Sequence, residues 1–430
     1  MAVGGTGRTG DPRDSPVAAG PLPTGAVPPR VLVLSAYYFP FQGGSETHAR
    51  TLAAYLARNG FGVSIVTGRV GQASAAFETI DGIPVHRVQP TGPRTGWRKW
   101  VMIPFAVAQI LRLRREFDLI YCPGYQGIGI AAIVAGALLR RPVVLRSGNL
   151  GVLEGTNWDA PLARWHISPG WRVVHWLKTR SRRIYMAANA FVCNCREIEA
   201  EALACGVPRS AVHYLPNAVD LERYRVRDDG ERARVRLEEG WPADAVICAY
   251  VGRLSVEKGV LDLLEAWRAV PHARKRLVLI GPDMSGHALD AGPAARQYVA
   301  EHGMEGSVVF YGESTRAERL LRAADLYVQP SHYEAFSNAL IEAMATGLPP
   351  VASRVGGMMD CIVDDDNGLF CRPRDATDLA RQLGRLIEDP VLRARLGASA
   401  RATVVEHFDQ TRIFRAFAEL FAATARPATS

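Results

Sequence analysis

Short apolar runs separated by helix-length stretches recur along most of this chain, and they limit what it can fold into more than any other feature. Val31-Leu32-Val33-Leu34-Ser35, Asp118-Leu119-Ile120-Tyr121-Cys122, Pro142-Val143-Val144-Leu145-Arg146 and Ala190-Phe191-Val192-Cys193 read as buried strands of the first half, with further strands at 62–67 and 85–88. Val246-Ile247-Cys248-Ala249-Tyr250-Val251, Leu277-Val278-Leu279-Ile280-Gly281 and Val308-Val309-Phe310-Tyr311-Gly312 continue the pattern, followed by runs at 324–330, 348–353 and 367–370. Strands rich in Val, Ile and Leu on both faces belong to parallel sheets covered by helices on either side. The fold class is therefore α/β, and 430 residues are enough for two such doubly wound domains.

With 48% hydrophobic and 22% charged residues, the composition is that of an ordinary globular protein. The net charge of +8 suits nucleic acid, anionic lipid or phosphorylated small molecules equally, so its distribution carries more information than its sum. The seven cysteines are dispersed, with no Cys-x-x-Cys pair, and are expected to be reduced core residues of a cytoplasmic protein. The longest apolar run, 128–139, is shorter than the ~20 residues a bilayer requires. Residues 1–29 form a Gly/Pro/Ala-rich tail without the apolar core of a signal peptide, and are expected to be disordered.

Two loops stand out. Gly43-Gly44 lies between the first strand and a helix over 45–60, with Ser45 as its expected N-cap; glycines there let a backbone approach a phosphate closely. In the second half, Gly252-Arg253-Leu254-Ser255-Val256-Glu257-Lys258-Gly259 turns directly from a strand into a helix, and its two cations could neutralise a diphosphate. Farther on, Glu334 falls in the loop after a strand and Glu342 on the following helix, expected over about 337–346, and the free N–H groups of that helix's N-terminus suit an anion. At about 1.5 Å of rise per residue the two carboxylates are ~12 Å apart, the reach from a sugar past a diphosphate to a ribose. Either pair alone would be ordinary surface charge.

Together, Gly-Arg-Leu-x-x-x-Lys-Gly and Glu334-Ala335-Phe336-Ser337-Asn338-Ala339-Leu340-Ile341-Glu342 resemble the phosphate-binding turn and the Glu-x7-Glu signature of the retaining family 4 glycosyltransferases, which have the GT-B fold. Pro-x-x-Gly43-Gly44-x-Glu46 and Pro216-Asn217-Ala218-Val219-Asp220 are similar to the family's first loop and domain junction. The resemblance implies two Rossmann-like domains facing a cleft. It implies catalytic roles for Arg253, Lys258 and Glu334, and donor contacts from these three with Gly43, Gly44, Ala335, Phe336, Ser337, Asn338 and Glu342. Glu334 would hold the donor sugar and Glu342 the ribose. Many members carry a His after the strand matching 143–146; here Gly148 stands at that place, and Ser147 or Asn149 would have to substitute.

The implied organisation is an N-terminal acceptor-side domain over 30–218, a linker over 219–242, a nucleotide-sugar domain over 243–405 and a helix over 406–424 crossing back to the first domain. The expected reaction moves a sugar from a nucleotide-diphosphate donor to an acceptor hydroxyl with retention, without cofactor or metal, since no Asp-x-Asp lies near those loops. Mixed Trp and Lys/Arg at 94–100 and 164–183 suit contact with an anionic membrane surface. A lipid-linked saccharide or polysaccharide precursor is then the expected acceptor, reached from the inner face of the membrane. No RNA-binding signature accompanies these segments, so nucleic acid is not an expected partner. The alternatives are a partner subunit that binds nucleotide sugar without turnover, and another GT-B enzyme such as an epimerase.

Overall fold

The computed structural model describes residues 27–40, 43–69, 74–91, 98–156, 168 and 171–425. Contacts divide the chain into two units, Ala218–Thr411 and, discontinuously, the described parts of Val17–Asn217 with Arg412–Ser430. Most of the tail expected over 1–29 lies outside the described residues.

The N-terminal unit is built on one eight-stranded sheet. Its strands are β1 (Val31–Ser35), β2 (Val63–Gly68), β3 (Phe77–Ile80), β4 (Ile83–Val88), β5 (Leu119–Cys122), β6 (Val143–Ser147), β7 (Ala190–Cys193) and β8 (Val212–Tyr214). The order is β3-β4-β2-β1-β5-β6-β7-β8. β3 runs antiparallel to β4, pairing Phe77 with His86, and the other strands are parallel. The helices are α1 (Gly44–Arg58), α2 (Arg98–Arg112), α3 (Gly129–Leu139), α4 (Arg172–Tyr185) and α5 (Arg196–Ala204). Strand order reverses between β1 and β5, and in open α/β sheets the crevice beyond that point is where ligands bind.

The C-terminal unit has an all-parallel sheet in the order β11-β10-β9-β12-β13-β14. These strands are β9 (Val246–Val251), β10 (Lys275–Ile280), β11 (Val308–Gly312), β12 (Leu326–Gln329), β13 (Pro350–Ser353) and β14 (Leu369–Cys371). Here the order reverses between β9 and β12. The helices are α6 (Asp229–Glu238), α7 (Val260–Ala269), α8 (Gly292–Glu301), α9 (Ala317–Ala323), α10 (Asn338–Ala345), α11 (Ala376–Glu388) and α12 (Pro390–His407). Val260, Leu263, Leu264 and Trp267 of α7 bury against Leu277, Leu279, Val328 and Val351 of the sheet. A final helix, α13 (Gln410–Ala425), carries Phe414, Phe417 and Phe421 into an aromatic cluster with His48 and Tyr121 of the N-terminal unit, where His48 and Tyr121 are hydrogen-bonded at 2.9 Å.

Two expectations change. The charged stretch 219–242 is not a surface connection. Asp228 caps α6 by accepting from Glu231 N–H at 2.5 Å. The buried Arg236 donates to Ala323, Ala243 and Ala245 carbonyls at 2.9–3.0 Å and to Asp325 at 2.6 Å. Asp325 also accepts from Arg232 and from Ile247 N–H at 2.8 Å. A helix of mostly charged residues docks here because its cations meet Asp325 and carbonyls at the end of α9 and just before β9, which no apolar periodicity could reveal. In addition, α1 begins at Gly44 with Gly43 as N-cap, so Ser45 lies inside the helix.

Asp325 is the one carboxylate that Arg232 and Arg236 share. Removing one partner of a buried pair costs about 3–5 kcal/mol. We expect Asp325→Ala to lower the urea midpoint of the C-terminal unit correspondingly, and a loss below about 1 kcal/mol would show that these cations are solvated instead.

Candidate active site

Of the expected site residues of the C-terminal unit, those from Arg253 to Lys258 and from Glu334 to Ser337 lie in the connections leaving the carboxyl ends of β9 and β12, the two strands that flank the reversal, while Asn338 and Glu342 lie on α10. Beyond β9 the chain makes a single 3-10 turn, Val256–Lys258, before α7. Gly259 closes that turn at φ +67°, and a side chain there would stand 2.1 Å from the Pro330 carbonyl oxygen. Only glycine allows the turn to press this closely on the end of β12. His332 ties the same two loops, its N–H donating to Glu257 O at 2.8 Å and its Nε2 lying 2.6 Å from Asp262 Oδ2.

This packing brings Lys258 onto Glu334, with Nζ donating to Oε2. Both side chains are largely sheltered, 19% and 14% exposed. A chain of side chains fixes the carboxylate. Ser337 caps α10, its Oγ accepting from Leu340 N–H at 3.2 Å. The same hydroxyl donates to Gln329 Oε1 at 2.6 Å, beside Tyr327 OH at 2.8 Å. Gln329 Nε2 in turn donates to Glu334 Oε2 at 3.1 Å. From below, Gly356, at φ +49°, passes so close that a Cβ would meet the Glu334 carbonyl oxygen at 1.7 Å, and Gly357 N–H donates to Ala335 O at 2.9 Å.

Ala335 and Phe336 are buried, Phe336 against Phe408 with centroids 5.8 Å apart. Asn338 opens α10. Arg253 is exposed and makes no ion pair among the described residues, while its carbonyl accepts from Tyr250 OH at 2.8 Å.

Glu342 occupies a different environment from Glu334. It is half-buried in area but closely surrounded, and burial pushes its carboxyl up to about 7. The Tyr224 hydroxyl bonded to it and the Arg223 guanidinium oppose that shift, while Glu318 adds to it. Arg223 is itself paired to Glu318 at 3.0 Å. Sequence reasoning missed Tyr224, Arg223 and Gln329. The first two lie in the stretch read as a linker. Gln329 carried one signal, a polar residue closing a buried strand.

Gly43 and Gly44 lie in the N-terminal unit. In that unit Gly148 follows β6, and Ser147 Oγ donates to Asn149 O at 2.8 Å, so the hydroxyl proposed to replace a histidine is engaged locally. Of the basic-aromatic segments, 94–97 and 164–167 lie outside the described residues. Arg98 is buried, donating to Pro90 O at 3.1 Å and to Arg69 O, and is thus structural.

Two Rossmann-like units of this kind make the GT-B fold of nucleotide-sugar glycosyltransferases. HepE from Anabaena, solved in complex with UDP, superposes with a TM-score of 0.74 at 22% identity, covering 92% of this chain and all of that one. The sucrose-phosphate synthase of Thermosynechococcus elongatus gives 0.74 at 23% identity over the same share. Residues 42–223 match the model for Glycosyltransferase Family 4, and residues 231–403 that for glycosyl transferases group 1. The D-inositol 3-phosphate glycosyltransferase of Nocardia farcinica is 30% identical over 403 residues, 87% of this chain and 85% of that protein. That of Xylanimonas cellulosilytica is 29% identical over 416 residues, 87% and 92%. The chain belongs to glycosyltransferase family 4.

The raised carboxyl of Glu342 gives the apo protein a pH signature. Its folded value of about 7 lies above the ordinary 4.5, so the native state holds a proton that the unfolded chain releases earlier. This contribution to stability is complete below about 4.5 and is lost as pH rises through about 7. Glu342→Gln should therefore gain stability relative to wild type at pH 8 but not at pH 5, measured by urea unfolding. Tyr224→Phe should shift the wild-type loss to higher pH. Equal profiles for wild type and Glu342→Gln would contradict the assignment.

Proposed function

We propose that this chain transfers a hexosyl group from a nucleoside-diphosphate sugar to an acceptor hydroxyl, with retention and without a metal. The observation that carries this reading is the Lys258–Glu334 pair, fixed by Gln329 and the α10 cap at the reversal of the C-terminal sheet. Such a site works by positioning and by stabilising the leaving group. The donor diphosphate would take up Lys258 and Arg253, which releases Glu334 to accept hydrogen bonds from sugar hydroxyls. Glu342 accepts from the ribose once ionised. As the C1–O bond to the diphosphate breaks, the acceptor oxygen bonds to C1 on the same face, and its proton passes to the departing phosphate oxygen. The cations offset the charge that grows there, which is the support for a metal-independent step.

Relatives in the family are named for inositol 3-phosphate, and polysaccharide or lipid-linked saccharide remains the acceptor class suggested by the surface of the N-terminal unit. There α2, α3 and α4 are neighbours. They expose Trp100, Phe105, Leu138, Trp176 and Leu177, with Trp171 just before α4. Arg172, Lys178, Arg180, Arg182 and Arg183 lie on α4, which has no acidic residue. Exposed rings beside a run of cations suit the headgroup region of an anionic bilayer. No helix among the described residues is long and apolar enough to cross one.

Glu334→Gln should lower kcat by about 10²–10³-fold, the usual cost of one catalytic hydrogen-bonding group, while nucleoside-diphosphate affinity stays within about threefold. Lys258→Ala should lower both. An NMR time course should show the retained anomer first, and EDTA should leave the rate unchanged. Donor binding without transfer to any acceptor would instead favour the non-catalytic partner subunit. Separately, the protein should co-sediment with vesicles containing phosphatidylglycerol but not with phosphatidylcholine alone, and Trp176→Ser with Arg182→Ala and Arg183→Ala should abolish this. Equal recovery on both vesicles would remove the membrane reading.

A further inference from the structure

Glu342 has a set of partners of its own, brought to it by the turn that opens the C-terminal unit. Asp220 builds that turn. Its Oδ1 accepts from the N–H groups of Glu222 and Arg223, both at 3.0 Å, and its carbonyl accepts from Tyr224 N–H at 2.9 Å. Two arginines from elsewhere hold the turn by its backbone. Arg322 of α9 donates to Arg223 O at 3.1 Å. Arg401 of α12 donates both to Tyr224 O at 2.9 Å and to Ala345 O at 2.6 Å, so the turn is tied to the last residue of the helix that carries Glu342.

The side chains of the turn do more than these anchors require. Tyr224 is 8% exposed, and its hydroxyl is hydrogen-bonded to Glu342. Burial holds that phenol well above its ordinary value, so it stays protonated and donates. Arg223 lies over the Tyr224 ring, its Cζ 5.5 Å from the centroid, and donates to Glu318 at 3.0 Å and to Thr315 O at 3.2 Å. This one guanidinium faces two carboxylates, Glu318 on α9 and Glu342 on α10, so the three groups together are negative when both are ionised. From β12, Tyr327 also lies near Glu342, but it donates its hydroxyl to Gln329 Oε1 at 2.8 Å. A turn fixed through its carbonyls needs neither a phenol on a neighbouring carboxylate nor a second carboxylate beside it. What these groups do is leave Glu342 oriented but not firmly ionised, a state that hydroxyl donors can change.

We propose that Tyr224, Arg223 and Glu318 are positioning residues for Glu342, which aim its carboxylate and set its proton so that the hydroxyls of a ribonucleoside diphosphate are taken up as that proton leaves. The inference rests on the reading that Glu342 meets the donor ribose. Tyr224 spends its one proton on the carboxylate, and the remaining lone pairs are left for hydroxyl donors. Hydrogen bonds from a ribose favour the charged form, as the one from Tyr224 does, so binding and ionisation reinforce each other. In the free protein Glu342 is mainly protonated below about 7, so affinity for ribose hydroxyls falls as pH drops below that value and is level above it. Burial and, more weakly, Glu318 oppose ionisation, whereas Tyr224 and Arg223 favour it, so removing one or the other moves the midpoint in opposite directions.

The test is calorimetric titration of the full chain with UDP, GDP and ADP from about pH 5.5 to about pH 8.5, each compared with its 2′,3′-dideoxy analogue. Each pair shares the titration of its phosphates, so the affinity ratio isolates the ribose hydroxyls. For the diphosphate that binds, we expect this ratio to rise about tenfold per pH unit up to a midpoint of about 7 and then to level off, and to be low and flat in Glu342→Gln. Tyr224→Phe should move the midpoint up and Glu318→Gln should move it down, each by about half a pH unit or more. Arg223→Met should move it up. A merely structural role would weaken both ligands at every pH and leave the midpoint in place. A midpoint unmoved in both Tyr224→Phe and Glu318→Gln, each close in shape to the residue it replaces, overturns the inference. Binding with a ratio that does not change with pH overturns it as well, and leaves the donor reading standing. Absence of binding by all three diphosphates at every pH overturns the donor reading and this inference with it.

Discussion

A parallel sheet buried on both faces leaves its chemistry only one place to go. Side chains along the strands are committed to the core, so polar groups can converge only where strands end, and they converge best where neighbouring connections leave in opposite directions. In the C-terminal unit that point lies between β9 and β12. The geometry of the candidate site follows from it. The turn after β9 supplies the cations, the loop after β12 supplies Glu334, and Gly259 lets the two approach until their side chains meet. The N-terminal sheet reverses between β1 and β5, and its polar cavity opens at the equivalent end.

The two glutamates of the signature show how one short segment yields two chemically different acceptors. Glu334 is held by a lysine and a carboxamide before any ligand arrives. Glu342 meets a tyrosine hydroxyl and sits close to another carboxylate, Glu318. The first is oriented and shared with a cation. The second is desolvated and poised between its protonation states near neutral pH. Sequence spacing located both, but their environments come from the end of β12 and, from farther along the chain, the Gly356–Gly357 turn and residues near 223.

That contrast marks how far the sequence could be read. Runs such as Val246–Val251 and Leu326–Gln329 announce themselves because a doubly covered strand must be apolar. The short strands β3 and β8 do not. β3 sits at the sheet edge with alternating exposure, and β8 has only three residues. α6 was invisible for another reason: it docks through Arg236 and Arg232 on Asp325, and its Leu237 is 82% exposed, so its pattern is that of a loop. The signature residues of the candidate site were legible through their types and spacing. Tyr224 acts on Glu342 across the fold and nothing local marks it, whereas Gln329 carried only the faint signal of a polar residue closing a buried strand. The exposed tryptophans at 171 and 176 were legible as residue types, whereas their outward orientation was not.

The aromatic cluster of α13 has a consequence for synthesis. Phe414, Phe417 and Phe421 complete the packing around His48 and Tyr121, yet they are translated after the whole of the C-terminal unit. Between Asn217 and Arg412 the ribosome must build the whole intervening unit. At about 5–20 residues per second that interval is roughly 10–40 s. Through that time the face that these rings cover around His48 and Tyr121 stands open. The unit translated first is therefore the one finished last, and the later unit can fold before it. A nascent chain of this design needs a chaperone, or its own partly formed helices, to shield that face until the closing helix arrives.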